Sequence, residues 1–105
     1  IQPTLATKTS AVKSYHGVEI LKTAGLDKYK ARIHINGNFV IGTYNTIEKA
    51  AIAYNKAVDM AHAHGIEKNY PENYIENISG KEYADIYTSV TVSDKYVQYL
   101  QQFDL

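Results

Sequence analysis

Within "KYKARIHI" (28–35), Lys28, Lys30, Arg32 and His34 occupy alternate positions, with no acid among them. On an extended strand that spacing sets all four on one face. Solvated faces normally mix signs, so an unbroken row of cations and hydrogen-bond donors suits a negatively charged partner. It does not suit bond-making chemistry, which needs a nucleophile or an acid and a base held together. The other conspicuous pair, His62 and His64, is separated by one residue. On a helix such a pair diverges, whereas histidines four residues apart converge on a metal. Both are read as last-turn residues favoured by the helix dipole. The chain has no cysteine, which excludes disulfides and thiolate metal sites. No catalytic residue, metal ligand or cofactor is expected in this segment.

The face shown by that row depends on the hairpin that follows. Asn36-Gly37 between two apolar runs is a strong hairpin signal. A two-residue turn would put Lys30, Arg32 and His34 on one face with Phe39, Ile41 and Thr43, and neither face would be cleanly apolar. A three-residue loop, Ile35-Asn36-Gly37 with Gly37 at positive φ, sets His34 opposite Asn38. One face then carries Tyr29, Ala31, Ile33, Phe39, Ile41 and Thr43. The other carries Lys28, Lys30, Arg32, His34, Asn38 and Val40. A slip of one residue flips every side chain, so the register with a consistent buried face is expected.

Around this hairpin, "SYHGVEIL" (14–21) reads as a first strand, with Gly17 marking a bulge or bend. "KTAGLD" (22–27) reads as a turn, and 28–35 and 38–44 as strands two and three. The period then changes. Thr46 is a suitable N-cap, Glu48 complements the helix dipole, and Ile47, Ala50, Ala51, Tyr54, Ala57, Val58 and Ala61 follow helical spacing. Gly65 supplies the stop. A mostly alanine face lets this helix lie close to a sheet. The expected fold is α+β: a three-stranded antiparallel sheet packed on one long helix, followed by a C-terminal extension. In that extension "VTVSDKYVQYLQQ" (90–102) reads as a short extended piece and then a helix capped by Ser93. The tail tyrosines lack interleaved cations and read as packing residues.

A chain of 105 residues, 45% hydrophobic and 21% charged, has the size and composition of one globular domain. It contains no apolar run of spanning length and no signal-like start, so neither membrane insertion nor secretion is expected. The Asn77-Ile78-Ser79 sequon carries little meaning without a secretion signal. A start without Met suggests a domain cut from a longer intracellular protein. Net charge is zero, yet up to residue 68 nine bases face five acids, +4, and from residue 69 two bases face six acids, −4. That asymmetry hints at a basic functional part followed by an acidic extension.

"YHGV", "YKARIHINGNFVIGTYNTIEKAAIAYNKAVDMAHAHG" and "KNYP" together resemble the DNA-binding domain of the Apetala-two/ethylene-response-factor family. Tyr15-His16-Gly17-Val18 matches the family's Y-R-G-V; Tyr29, Ala31 and Ile33 match W-x-A-x-I. Ile41-Gly42-Thr43-Tyr44 matches L-G-T-F, Ala50 to Ala57 match A-A-x-A-Y-D-x-A, and Lys68-Asn69-Tyr70-Pro71 matches L-N-F-P. The resemblance covers residues 14–71 in unbroken order, which leaves residues 1–13 as an arm and 72–105 as an acidic, tyrosine-rich extension. Tyr in place of Trp and the short Asn-Gly hairpin are similar to prokaryotic or phage members attached to nucleases or integrases.

The resemblance implies a sheet whose outer face lies in the major groove of double-stranded DNA. Carried over by position, the contacting residues would be His16, Glu19 and Leu21 on strand one, Arg32 and His34 on strand two, and Asn38 and Val40 on strand three. Tyr54 would touch the DNA backbone. Arg32 suits bidentate bonding to guanine and Asn38 to adenine, and the two histidines can bond base edges. Lys22, Lys28, Lys30 and the arm's Lys8 and Lys13 would sit on phosphates. Plant members carry arginine at the positions of His16, Glu19, Leu21, His34 and Asn38, tryptophan at Val40 and glutamate at Arg32. Affinity should therefore be lower here, because phosphate neutralisation dominates it, and the target sequence is not inherited.

The expected function is thus sequence-preferring duplex-DNA binding, in a transcription regulator or as the targeting module of a nuclease or integrase. The segment itself would not be an enzyme, although a partner domain could be a nuclease. It would act in the cytoplasm or nucleoid of a prokaryote or phage host, or in a eukaryotic nucleus. The alternative is a protein-interaction module that kept the fold and lost the DNA face. Two roles are open for the tail: covering the basic face, or mediating a homodimer.

Overall fold

The computed structural model describes residues 15–103, with the backbone only at Thr23. The expected arm, with Lys8 and Lys13, lies outside the described residues. Among the described residues three antiparallel strands come first, β1 (Val18–Thr23), β2 (Leu26–His34) and β3 (Asn38–Tyr44), in the order β1-β2-β3. Three helices follow: α1 (Ile47–Ala63), α2 (Gly80–Ser89) and α3 (Asp94–Gln101). β1 starts four residues later than the sequence suggests, because the chain turns through Gly17 at φ +74°.

The hairpin between β2 and β3 has the three-residue loop. His34 faces Asn38, Ile35 N–H donates to Gly37 O at 3.1 Å, and Gly37 has φ +126°. Ala31, Ile33 and Ile41 are buried with Phe39 packed against them, while Arg32, His34, Asn38 and Val40 are exposed. One expected inward residue is not there. Pairing runs Arg32 with Val40 and then Ala31 with Gly42, so Ile41 is an extra residue in a β-bulge. The bulge restarts the alternation. Thr43 pairs with Lys30 and is exposed, and Tyr44 turns inward opposite Tyr29. The Tyr44 ring covers Gly42, where a Cβ would meet ring carbon at 2.8 Å.

α1 is closed at both ends by local chemistry. Thr46 Oγ1 accepts from Lys49 N at 3.2 Å, and Glu48 stands in the first turn. At the other end Ile66 N donates to Ala61 O and Gly65 N to His62 O, each at 3.0 Å, which is the Schellman pattern around a positive-φ glycine. Ala50, Ala53, Tyr54, Ala57, Val58 and Ala61 of α1 pack with Ala31, Ile33 and Ile41 of the sheet.

The extension enters the same core. Val90, Tyr96 and Leu100 are buried in that cluster, Tyr96 donates to Ala57 O at 2.6 Å, and the Phe39 and Tyr99 rings are 4.3 Å apart. Ser93 N–H donates to Ile41 O at 2.8 Å, so residues beside α3 cap the bulge; the Ser93 side chain makes no cap bond. α2 was not expected. Ser79 accepts from Glu82 N at 3.0 Å, and at the far end Lys56 Nζ donates to Tyr87 O at 2.9 Å and Val90 O at 3.2 Å. The described part of the tail therefore packs on the helix side and does not cover the basic residues of the outer sheet face.

Between α1 and α2, Glu72 is held above the ordinary carboxylate value. The cause is chiefly partial desolvation, then a hydrogen bond with Asp59 and repulsion from it; His62 opposes the shift. A carboxyl whose pKa rises on folding holds its proton more tightly folded than unfolded. Its stability contribution is therefore fullest below the unfolded value of 4.5 and declines as pH climbs through the raised folded value. Glu72→Gln should raise Tm at neutral pH, with the gain vanishing below about pH 4. Thermal melts across that range check it; a gain independent of pH would remove Glu72 as the cause.

Candidate nucleic-acid interface

Period-two alternation on β1 and β2 brings Glu19, Leu21, Lys28, Lys30, Arg32 and His34 to the face opposite α1, and β3 adds Asn38, Val40 and Thr43. The rows are cross-linked. Glu19 faces Lys30 with 3.7 Å between carboxylate and ammonium, Leu21 faces Lys28, Arg32 faces Val40, and His34 Nδ1 lies 3.2 Å from Asn38 Oδ1. Lys28 Nζ reaches Asn45 Oδ1 at 3.2 Å. Three cations against one carboxylate give this face +2. The Arg32 guanidinium has no hydrogen-bond or ion-pair partner among the described residues. Val40 is 49% exposed, an apolar contact on this face beside Arg32.

Three expected contact residues lie elsewhere, the first being His16, which stands in the turn before β1 and not on a strand. Lys22 shares the pleat of Val18 and Ile20 and is bonded to Asp27 at 3.0 Å, away from the Lys28–His34 row. Tyr54 is only 5% exposed and sits beneath Gly17, forming the floor of a cleft rather than part of the face.

That cleft opens where β2 runs on past the first residue of β1. It has a volume of about 400 Å³ and brings together His16, Gly17, Arg32, His34, Asn38, Tyr54 and Tyr70. Gly17 O accepts from Arg32 N at 2.8 Å and joins its two sides. Burial pushes the Tyr54 phenol above its ordinary value, and the Glu72 charge adds to the shift. Sequence reasoning placed His16, Arg32, His34, Asn38 and Tyr54 together without foreseeing a cleft. It gave Tyr70 no role; an aromatic hydroxyl beside a proline carries no periodic signal.

His62 Nε2 donates to the Lys68 carbonyl at 2.9 Å, a structural bond at the end of α1. Among the described residues there is no group of three or more metal-ligating side chains, and no helix is long and apolar enough to cross a membrane.

Fold and face together define a small α+β domain that exposes a basic, hydrogen-bonding sheet surface. Comparison of the chain with known family profiles, with curated proteins and with solved structures gave no significant match.

Proposed function

We propose that this chain is a double-stranded DNA-binding module that lays the outer face of its sheet into the major groove. The observation that carries the reading is the unbroken Lys28-Lys30-Arg32-His34 row on a sheet face that no described element covers, with the Arg32 guanidinium unengaged among the described residues. The resemblance of residues 14–71 to the Apetala-two/ethylene-response-factor domain supports the same face. The major groove, about 12 Å wide, admits a β-ribbon. Arg32 would bond guanine, Asn38 adenine and Glu19 the cytosine amino group, while Val40 and Leu21 would meet thymine methyls. Lys28 and Lys30 would exchange their weak intramolecular partners for phosphates; exposed pairs of this kind contribute only about 0–1 kcal/mol. Such a module would serve a transcription regulator, or target a nuclease or integrase carried on the same protein.

The test is selection from a randomised duplex library, then fluorescence anisotropy on the selected site. Arg32→Ala should cost about 1–3 kcal/mol on that site and relax preference at one base pair. If about four phosphates are contacted, log affinity should fall against log salt with a slope near −3.6. Equal affinity of wild type and Arg32→Ala across the library would remove this face as the reader.

A second reading is a protein-interaction module, favoured by the pairing of Lys30 with Glu19 and the modest +2 of the face. Gel filtration and crosslinking separate the two: an interaction module elutes with a protein partner and ignores duplex DNA even at low salt.

A further inference from the structure

Beyond the pair Val18–Ala31, β2 has no neighbouring strand on its β1 side among the described residues, yet His16 and Arg32–His34 flank the cleft there. Side chains from the segment after α1 take the place of a strand. Asn73 Oδ1 accepts from His16 N at 2.7 Å and its Nδ2 donates to His16 O at 3.0 Å, pairing with both backbone groups as a strand neighbour would. Asn73 is 9% exposed and is itself gripped by Asn55. Asn73 N donates to Asn55 Oδ1 at 2.7 Å, and Asn55 Nδ2 donates to Asn73 O at 2.8 Å. On the opposite lip, Tyr70 Oη donates to His34 O at 2.6 Å, and Lys68 Nζ donates to Ile35 O at 3.1 Å.

We infer that Asn73 and Tyr70 are positioning residues that fix the two lips of the cleft and so set where the His16 and His34 imidazoles point toward a base edge. The inference rests on the DNA-binding reading above. Both imidazoles belong to exposed residues, so their direction depends on the backbone that bears them. A recognition group has to be held to within about 0.5 Å by the shell behind it. Neither Asn73 nor Tyr70 belongs to the basic row. Their effect on DNA is transmitted through the His16 and His34 main chain.

The experiment uses the full chain with Tyr70→Phe, which removes one hydroxyl and keeps the ring, and Asn73→Ala. Each is titrated with the library-selected duplex and with a scrambled duplex, and folding is followed by NMR. The expected result is folded variants with shifted imidazole resonances, His34 in Tyr70→Phe and His16 in Asn73→Ala. Faster exchange of the His16 amide should accompany Asn73→Ala. Affinity for the selected duplex should drop about tenfold, with binding to the scrambled duplex and the salt slope unchanged. A purely structural role would lower both affinities together, in proportion to unfolded protein. Folded Tyr70→Phe with the wild-type ratio of selected to scrambled affinity would overturn the inference, and this variant decides if Asn73→Ala does not fold. If wild type binds no duplex, the DNA reading fails; unchanged imidazole resonances in folded Tyr70→Phe would then sink the positioning as well.

Discussion

A chain ending at Pro71 should fail to fold, although it retains all three strands and α1. Ile75, Val90, Tyr96 and Leu100 are buried and belong to the removed extension. At about 1.5–3 kcal/mol for each buried side chain, their loss comes to about 6–12 kcal/mol. A domain of this size has only about 5–15 kcal/mol in total. The same truncation also uncovers Ala51 and Ile52 of α1 and the Phe39 ring, and leaves Lys56 without the Tyr87 and Val90 carbonyls it bonds. Circular dichroism and one-dimensional NMR should show a loss of cooperative melting. A point variant grades the same effect. Tyr96 is fully buried and bonded to Ala57 O, so Tyr96→Ala should cost about 3–5 kcal/mol. Tyr96→Phe, which gives up only the hydroxyl, should cost about 1 kcal/mol. A truncated chain that melts cooperatively near the wild-type temperature would show the extension to be an appendage. Its DNA affinity would then report whether the tail matters to the face at all.

The parts legible in the sequence are those governed by a period. Alternation fixed the face of β2, the loop of the hairpin followed from keeping that face consistent, and three-four spacing gave α1 together with its cap at Thr46. Each depends on many residues agreeing. What escaped depends on one residue or on contacts distant in sequence. The bulge at Ile41 shifts Thr43 outward because Gly42 leaves room for the Tyr44 ring; a glycine inside a strand was the one local hint. α2 has no fully buried residue, and its half-buried Tyr83, Ile86 and Tyr87 read as tyrosines scattered in a polar stretch. Ser79 with Glu82 three residues on was the available signal. Of the candidate site, the row was readable but the cleft was not, since its second wall is built by Tyr70 and Pro71, and Tyr70 bonds the His34 carbonyl from 36 residues away in sequence.

Gly17→Ala should be among the most damaging single substitutions, out of proportion to the one methyl it adds. At φ +74° the backbone already disfavours any side chain, at a cost of about 1–2 kcal/mol. An added Cβ would also lie 2.7 Å from the Arg32 carbonyl oxygen, and nearer still to the Tyr54 ring. Neither neighbour can easily retreat: the Arg32 carbonyl belongs to β2, and Tyr54 is packed in the core. Together these terms should reach about 3–4 kcal/mol, or a fall in Tm of about 12–25 °C for a domain of this length. Gly25→Ala is the matched control. Gly25 has nearly the same φ, +77°, but nothing within 4 Å of where its Cβ would stand. It should therefore show only the backbone cost, about 1–2 kcal/mol. The difference between the two variants, read from urea midpoints at constant m-value, measures how closely the turn before β1 must approach α1 at the cleft. Equal losses would mean that Tyr54 yields freely, and that the cleft floor is not a fixed part of the face. A larger loss at Gly17 would tie the placement of His16 and Arg32 to the one residue between them and α1 that has no side chain.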